Sequence, residues 1–253
     1  MCPILFKVGS FTIYTYGVLV FMGVLAGYLF GLKEAGRSQV DTKVFSDVLF
    51  WSIIWAFVGA RLLYLIVEWD FFIQDPIGML FSRAGFVFYG GIIAGSLALF
   101  FHAKIRKLDF LKYIDIIALT IPLGHFFGRL GCFFYGCCYG VHTNSWIGMI
   151  FPHDSPAGIM GGKVIPTQLI SALFLLFIFF ILLFIRRRQQ FKGQIMLSYF
   201  IFYGIFRFII EFFRGDPRGF WGMFSTSQII AIVLILSGLI GWIRLRRLPC
   251  DRF

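Results

Sequence analysis

The sequence predicts an all-α integral membrane protein with seven transmembrane helices, and three observations carry that reading. Of the 253 residues, 59% are hydrophobic and 20% aromatic, while only 14% are charged, against about 25% in an ordinary soluble domain. The apolar residues fall in runs of about 20, the length a helix needs to cross a hydrocarbon core. The basic residues gather in short clusters between those runs, so the net charge of +11 reads as a topology signal. No nucleic-acid partner is expected.

The spans are expected at about residues 12–32, 46–67, 86–103, 113–131, 167–185, 195–213 and 225–243. Helices are the predicted form, because an open sheet leaves backbone groups unpaired in lipid. The first run is long, has only Lys7 before it as a basic residue and lacks a small-residue cleavage site, so it reads as a span and not a signal peptide. Gly23, Gly27 and Gly31 recur every four residues on it, a spacing that favours close helix packing. Between spans, Lys33, Arg37, Lys43, Lys104, Arg106, Lys107, Lys112, Arg186, Arg187, Arg188, Lys192, Arg244, Arg246, Arg247 and Arg252 fall on one side. Lys7, Arg83, Lys163, Arg214 and Arg218 fall on the other. The excess places the N-terminus outside and the C-terminus in the cytoplasm. The longest stretch between spans, about 132–166, is then an outer-side loop excursion, rich in Gly, Pro, Trp and Tyr. No tandem repeat is visible, and residues 1–253 read as a single transmembrane domain.

Three basic residues, Arg61, Arg129 and Arg207, fall within spans or at their ends. A charge at bilayer depth costs at least about 2.5–3.5 kcal/mol, so each must face protein or water. On the sixth span, Tyr203, Arg207, Glu211 and Arg214 are spaced four, four and three apart and share one helix face. Two arginines to one carboxylate leave positive charge over, which favours an anionic ligand. The alternative is an Arg207–Glu211 pair that only holds helices together.

At the end of the fourth span runs Gly128-Arg129-Leu130-Gly131-Cys132-Phe133-Phe134-Tyr135-Gly136-Cys137-Cys138-Tyr139-Gly140. Four glycines in that block make a poor helix interior and suit a broken helix approached closely by a ligand or another helix. The Arg129 guanidinium can grip a phosphate with two parallel hydrogen bonds. The Cys-x4-Cys-Cys spacing lacks the paired C-x2-C pattern of a zinc site, so the cysteines read as small packing residues and no metal is expected. With five cysteines, an odd number, no disulfide framework is implied. Arg61 is placed to support Glu68, Asp70 or a ligand, and Tyr89-Gly90-Gly91 opens the third span with a phenol and a pair that permits close approach. His125 precedes Arg129 by one turn. Together these residues describe a lipid-accessible pocket in the outer half of the membrane for a phosphate-bearing molecule.

On these motifs the chain resembles the prolipoprotein diacylglyceryl transferases of bacterial inner membranes. The likeness runs from about Tyr14 to Ser227. It rests on the Gly-Arg-Leu-Gly-x-Phe-x-x-Gly-x-x-x-Gly block at 128–140, on Tyr14-Thr15-Tyr16-Gly17, on Tyr203 through Arg214, and on Pro166-Thr167-Gln168-Leu169. The resemblance implies transfer of the diacylglyceryl group of phosphatidylglycerol to the thiol of a lipobox cysteine in a prolipoprotein signal peptide, with release of glycerol phosphate. It implies a multi-pass protein of the cytoplasmic (inner) membrane, membrane lipid as surroundings and no cofactor. Arg129 and Arg207 would bind the phosphate and stabilise the leaving group. Glu211 would orient an arginine or join a proton relay, and Tyr89 or His125 would serve as base. Tyr16, Arg61, Gly90, Gly91, Gly131, Cys132, Gly136, Cys137, Gly140, Tyr203 and Arg214 would line the substrate site. The chain departs from the family pattern at Tyr89 and Ile165, where histidines are usual, and at Cys132 and Cys137, where Asn and acidic residues are usual. Those departures keep two alternatives open: a non-catalytic lipid-binding protein, and a related transferase with another acceptor. Other membrane enzymes fit less well, because neither His-Glu-x-x-His nor Gly-x-Ser-x-Gly occurs.

The charge asymmetry gives a direct test of orientation. A fluorescent protein fused to the C-terminus is expected to fold and glow in the cytoplasm, while alkaline phosphatase at the same point stays inactive. The reverse pattern would invert the topology.

Overall fold

The chain opens with strands β1 (Ile4–Val8) and β2 (Phe11–Tyr14) and continues through α1 (Thr15–Arg37), α2 (Thr42–Val67), α3 (Trp69–Gln74), α4 (Pro76–Phe81), α5 (Phe88–Ile105), α6 (Phe110–Tyr135), α7 (Pro156–Ile159), α8 (Thr167–Arg186) and α9 (Gln194–Ile210). A 3-10 turn (Glu211–Phe213), strands β3 (Phe220–Trp221) and β4 (Phe224–Ser225) and α10 (Thr226–Arg246) complete it. This computed structural model describes residues 3–9, 11–82, 85–217 and 219–247. Cys2, Arg83, Arg218, Cys250 and Arg252 lie outside the described residues. Among the described residues, seven helices are long and apolar enough to cross a membrane: α1, α2, α5, α6, α8, α9 with its 3-10 turn, and α10. The expected all-α membrane class and its seven spans therefore hold.

Several span boundaries differ from the sequence expectation, and two of these differences have a clear structural cause. The first helix starts at Thr15 and not near residue 12, because Phe11–Tyr14 pairs antiparallel with Ile4–Val8. The fourth span continues to Tyr135, four residues beyond its expected end. Gly128 and Gly131 do not break it. The reversal comes at Gly136, with φ +79°, and at Cys138, with φ +61°.

The chain divides into two compact units, Leu32–Tyr113 and the remainder, Met1–Gly31 with Ile114–Phe253. In the smaller unit, α2 packs on α5 at very short range. A Cβ on Gly90 would lie 2.6 Å from Leu63 Cβ, and one on Gly91 would lie 3.1 Å from the Ala56 carbonyl oxygen. The glycine pair thus lets two backbones touch. Between these helices, α3 and α4 occupy what reads as a plain loop in sequence.

In the larger unit the core joins Ala118 and Leu119 of α6, Ile178 and Leu182 of α8, and Ile195 and Tyr199 of α9. Phe174 stacks on Phe206 at 4.1 Å between ring centroids. The 132–166 excursion carries a small core of its own, with Tyr139, Phe151, Ala157 and Val164 buried together. It is pinned by the antiparallel bridges His142–Val164 and Met149–Val164.

One buried carboxylate anchors this unit at the opposite end of its helices from Arg207. Asp115 is 4% exposed and accepts from the backbone N–H groups of Gly193 at 2.6 Å, Ile195 at 2.9 Å and Met196 at 3.0 Å, and from Gln189 Nε2 at 2.6 Å. It satisfies orphan donors at the start of α9, where the helix dipole also favours an anion. Hydrogen bonds to a charged group contribute about 1.5–3 kcal/mol each. Asp115→Ala is therefore expected to destabilise the detergent-solubilised protein by about 3–5 kcal/mol, and Asp115→Asn by less. Thermal unfolding followed by size-exclusion fluorescence measures it, and an unchanged midpoint for Asp115→Ala would contradict the anchor.

Candidate active site

The larger unit gathers polar side chains at one end of its helices, where α1 begins, α6 and α9 end and α10 begins. The last turn of α9 supplies Arg207, and the 3-10 turn after it supplies Glu211. Arg207 Nη2 lies 3.1 Å from Glu211 Oε2, with Glu211 2% and Arg207 14% exposed. Arg207 Nη2 also donates to Ser227 Oγ at 2.6 Å. Glu211 Oε1 accepts from Ser225 Oγ at 2.7 Å. That serine is simultaneously the N-cap of α10. Its hydroxyl accepts from the Gln228 N–H at 3.2 Å, and its own N–H donates to Gln228 Oε1 at 3.0 Å. The start of one helix thus fixes the carboxylate at the end of another. Arg207 Nη1 is buried with no hydrogen-bond partner among the described residues.

Arg214 behaves differently from its sequence expectation. It forms a bidentate pair with Asp216, Nε to Oδ1 at 2.7 Å and Nη2 to Oδ2 at 2.6 Å. Burial opposes its charge, but the Asp216 carboxylate outweighs that and holds the guanidinium above its ordinary range. The surplus positive charge therefore does not sit on Arg214, which Asp216 neutralises. It sits on Arg129, whose guanidinium makes no hydrogen bond or ion pair among the described residues.

The glycine block builds the wall beside Arg129. A Cβ on Gly131 would lie 2.9 Å from the Tyr16 ring, so the glycine admits that tyrosine against α6. Gly136 turns the chain in the left-handed region and meets Ser155 of the excursion. Gly140 is threaded between two backbones, and a Cβ there would lie 2.7 Å from the carbonyl oxygens of both Ile165 and Phe213. Its N–H donates to Ile165 O at 2.9 Å, and it bridges antiparallel to Arg214. Thr167 Oγ1 and Gln168 Nε2 each donate at 2.7 Å to the carbonyls of Cys138 and Cys137. These bonds hold the reversal in shape.

That reversal brings Cys137 and Cys138 back onto Cys132, five residues before the first of them. The sulfurs of Cys132, Cys137 and Cys138 all lie within 4.8 Å of one another, partly buried. Hydrogen bonds from the Cys132 and Cys137 thiols, with the Arg214 and Arg129 guanidiniums beyond them, favour the thiolate of Cys138. The three cysteines thus form a cluster. His125 and Tyr203 face one another at 5.5 Å between ring centroids, and Tyr203 stacks on Tyr199 at 5.5 Å.

The remaining candidates belong to the smaller unit. Arg61 donates to the carbonyls of Gly85 at 2.8 Å, Leu80 at 3.2 Å and Ser82 at 3.1 Å, to Ser82 Oγ at 2.9 Å and to the Met79 carbonyl. It also lies over the rings of Tyr64 and Phe86. Arg61 thus closes the end of α4 within its own unit. Tyr89 is exposed at the start of α5, and Gly90 and Gly91 serve the contact with α2. Sequence reasoning missed Ser225, Ser227 and Asp216. The Ser-x-x-Gln spacing at 225–228 signals a capping box, and Asp216 falls just past the helical periodicity that drew attention to Arg214.

A family model described as prolipoprotein diacylglyceryl transferase matches residues 3–244. A phosphatidylglycerol–prolipoprotein diacylglyceryl transferase of Clostridium tetani is 36% identical over 239 residues, covering 94% of this chain and 96% of that protein. A second, from Clostridium perfringens, is 37% identical over 242 residues, covering 94% and 93%. A third, from Listeria innocua, is 32% identical over 255 residues, covering 98% and 91%. With the motif block, the buried arginine site and matches over nearly the whole length, this chain belongs to the prolipoprotein diacylglyceryl transferase family.

Proposed function

We propose that this protein transfers the diacylglyceryl group of phosphatidylglycerol to the lipobox cysteine thiol of prolipoproteins and releases glycerol phosphate, at the outer face of a bacterial cytoplasmic membrane. The observation that carries the reading is the unspent donor capacity of two neighbouring guanidiniums. Arg207 Nη1 is buried without a partner among the described residues, and the Arg129 guanidinium makes no ion pair among them. A phosphodiester supplies the acceptor oxygens that both lack. The names of the relatives supply the lipid and the acceptor.

The reaction makes one sulfur–carbon bond and breaks one carbon–oxygen bond and the thiol S–H bond, whose proton passes to solvent. The thiol sulfur attacks the diacylglyceryl carbon that carries the phosphate oxygen, and the bonding pair leaves with the phosphate. Negative charge on the phosphate grows in the transition state, so a fixed positive pair binds that state more strongly than the lipid. Glu211 and Ser227 hold the Arg207 plane, which leaves its Nη1 edge for the substrate. Arg129 brings the net positive charge. Tyr16, against Gly131, borders the same space. The nucleophile arrives with the substrate, so the chain needs none of its own. Roles for Arg61, Tyr89, Gly90 and Gly91 toward the lipid rest on the resemblance alone.

Purified protein in vesicles containing phosphatidylglycerol is expected to add a diacylglyceryl mass to a lipobox peptide. Arg129→Ala and Arg207→Ala are each expected to lower turnover by about 10²–10³-fold, with the folded fraction unchanged for Arg129→Ala. No mass gain, under conditions where a relative works, would sink the transferase reading and leave a lipid-binding protein.

A further inference from the structure

Three cysteines at the end of α6 have no part in the mechanism above, yet they are the tightest cluster of thiophilic groups among the described residues. We propose that Cys132, Cys137 and Cys138 form a three-thiolate site for a thiophilic divalent cation such as zinc, whose fourth position takes the incoming peptide thiol. The metal half of this inference stands alone; the thiol half rests on the transferase reading.

The geometry suits a metal. A tetrahedral zinc with sulfurs at about 2.3 Å sets those sulfurs about 3.8 Å apart. The cluster, with all three within 4.8 Å, needs to close by no more than about 1 Å. Cys132 sits one turn before the end of α6, and its carbonyl accepts from Gly136 N–H at 2.9 Å and Cys137 N–H at 3.2 Å. That reversal folds Cys137 and Cys138 back over Cys132. Cys138 adopts φ +61°, a costly region for a residue with a Cβ, and the bonds from Thr167 and Gln168 hold it there. Three thiolates around a dication leave one negative charge. Three protein ligands with one open position are the arrangement of a catalytic zinc site, whereas a structural site is closed by four.

The chemistry suits the reaction. Alkylation needs the thiolate, and a thiol bound to a metal is deprotonated outright. The peptide thiol would lose its proton to water on binding. Its sulfur then attacks the diacylglyceryl carbon, the carbon–oxygen bond breaks, and the electron pair leaves on glycerol phosphate. The neutral thioether product is a weaker ligand and departs. No oxidant or reductant enters. The cluster begins one residue after Gly131, against which the Tyr16 ring packs.

The test uses full-length protein with Cys2 and Cys250 changed to Ser, purified reduced and without chelator. Elemental analysis is expected to find one zinc per chain. Cys132→Ser and Cys138→Ser are expected to lose it while keeping the thermal unfolding midpoint within a few degrees. Cobalt exchanged into the site is expected to give tetrahedral thiolate bands that shift when a lipobox peptide is added, but not when its cysteine is replaced by serine. Failure of the reduced protein to bind zinc in excess, or retention of zinc in the triple serine variant, overturns the site. A cobalt spectrum indifferent to the peptide overturns the open position. Zinc binding with the cysteine-dependent shift, but no transfer to the peptide, leaves the site standing and removes the transferase reading instead.

Discussion

The ion pair of Arg207 and Glu211 is the interaction around which one end of the larger unit is arranged. Two charges this deeply buried are costly to desolvate, and removing either partner alone costs about 3–5 kcal/mol. The surrounding sequence meets that demand from several elements. The α10 capping box spends its serine on Glu211, the next turn spends Ser227 on Arg207, and Asp216 takes Arg214 out of competition. What is left is asymmetric: one donor edge on Arg207 and the whole guanidinium of Arg129. A site that neutralised every charge would hold helices together and nothing more. The mismatch is what makes this one suited to an anionic lipid.

The glycine block gives the site its shape and not its chemistry. Gly131 lets Tyr16 reach α6, Gly136 permits the left-handed reversal, and Gly140 lets three backbone segments cross. Because the reversal follows directly on the helix, it carries Cys137 and Cys138 back onto Cys132. Backbone geometry, held by Thr167 and Gln168 from α8, thereby creates a cluster of three thiols close in sequence to Arg129, the arginine proposed to bind the phosphate.

The seven spans were legible because lipid demands long apolar runs and the loops between them carry the charge. Their ends were less so. The start of α1 depends on strand pairing with residues 4–8, and α6 runs on through Gly128 and Gly131, the second of which admits Tyr16. Arg129, Arg207 and Glu211 stood out because charges are rare in such runs. The charge surplus that the sixth-span spacing suggests is reduced by Asp216, which pairs with Arg214 past the helix, where periodicity no longer indicates neighbours. Asp115 gave no signal because its partners are 74–81 residues away. The thiol cluster was hidden because Cys-x4-Cys-Cys is not a paired metal spacing; it forms only when the helix ends where it does.

The central claim is that unspent arginine donors recognise the lipid phosphate, and equilibrium lipid binding tests it most directly. Native mass spectrometry would compare phosphatidylglycerol with a diacylglycerol of the same acyl chains, on the unmodified protein and on Arg129→Gln/Arg207→Gln. The expected result is a clear preference for the phosphate-bearing lipid, lost in the double variant while diacylglycerol binding persists. Equal binding of the two lipids to the unmodified protein, or a preference that survives both substitutions, would contradict the account.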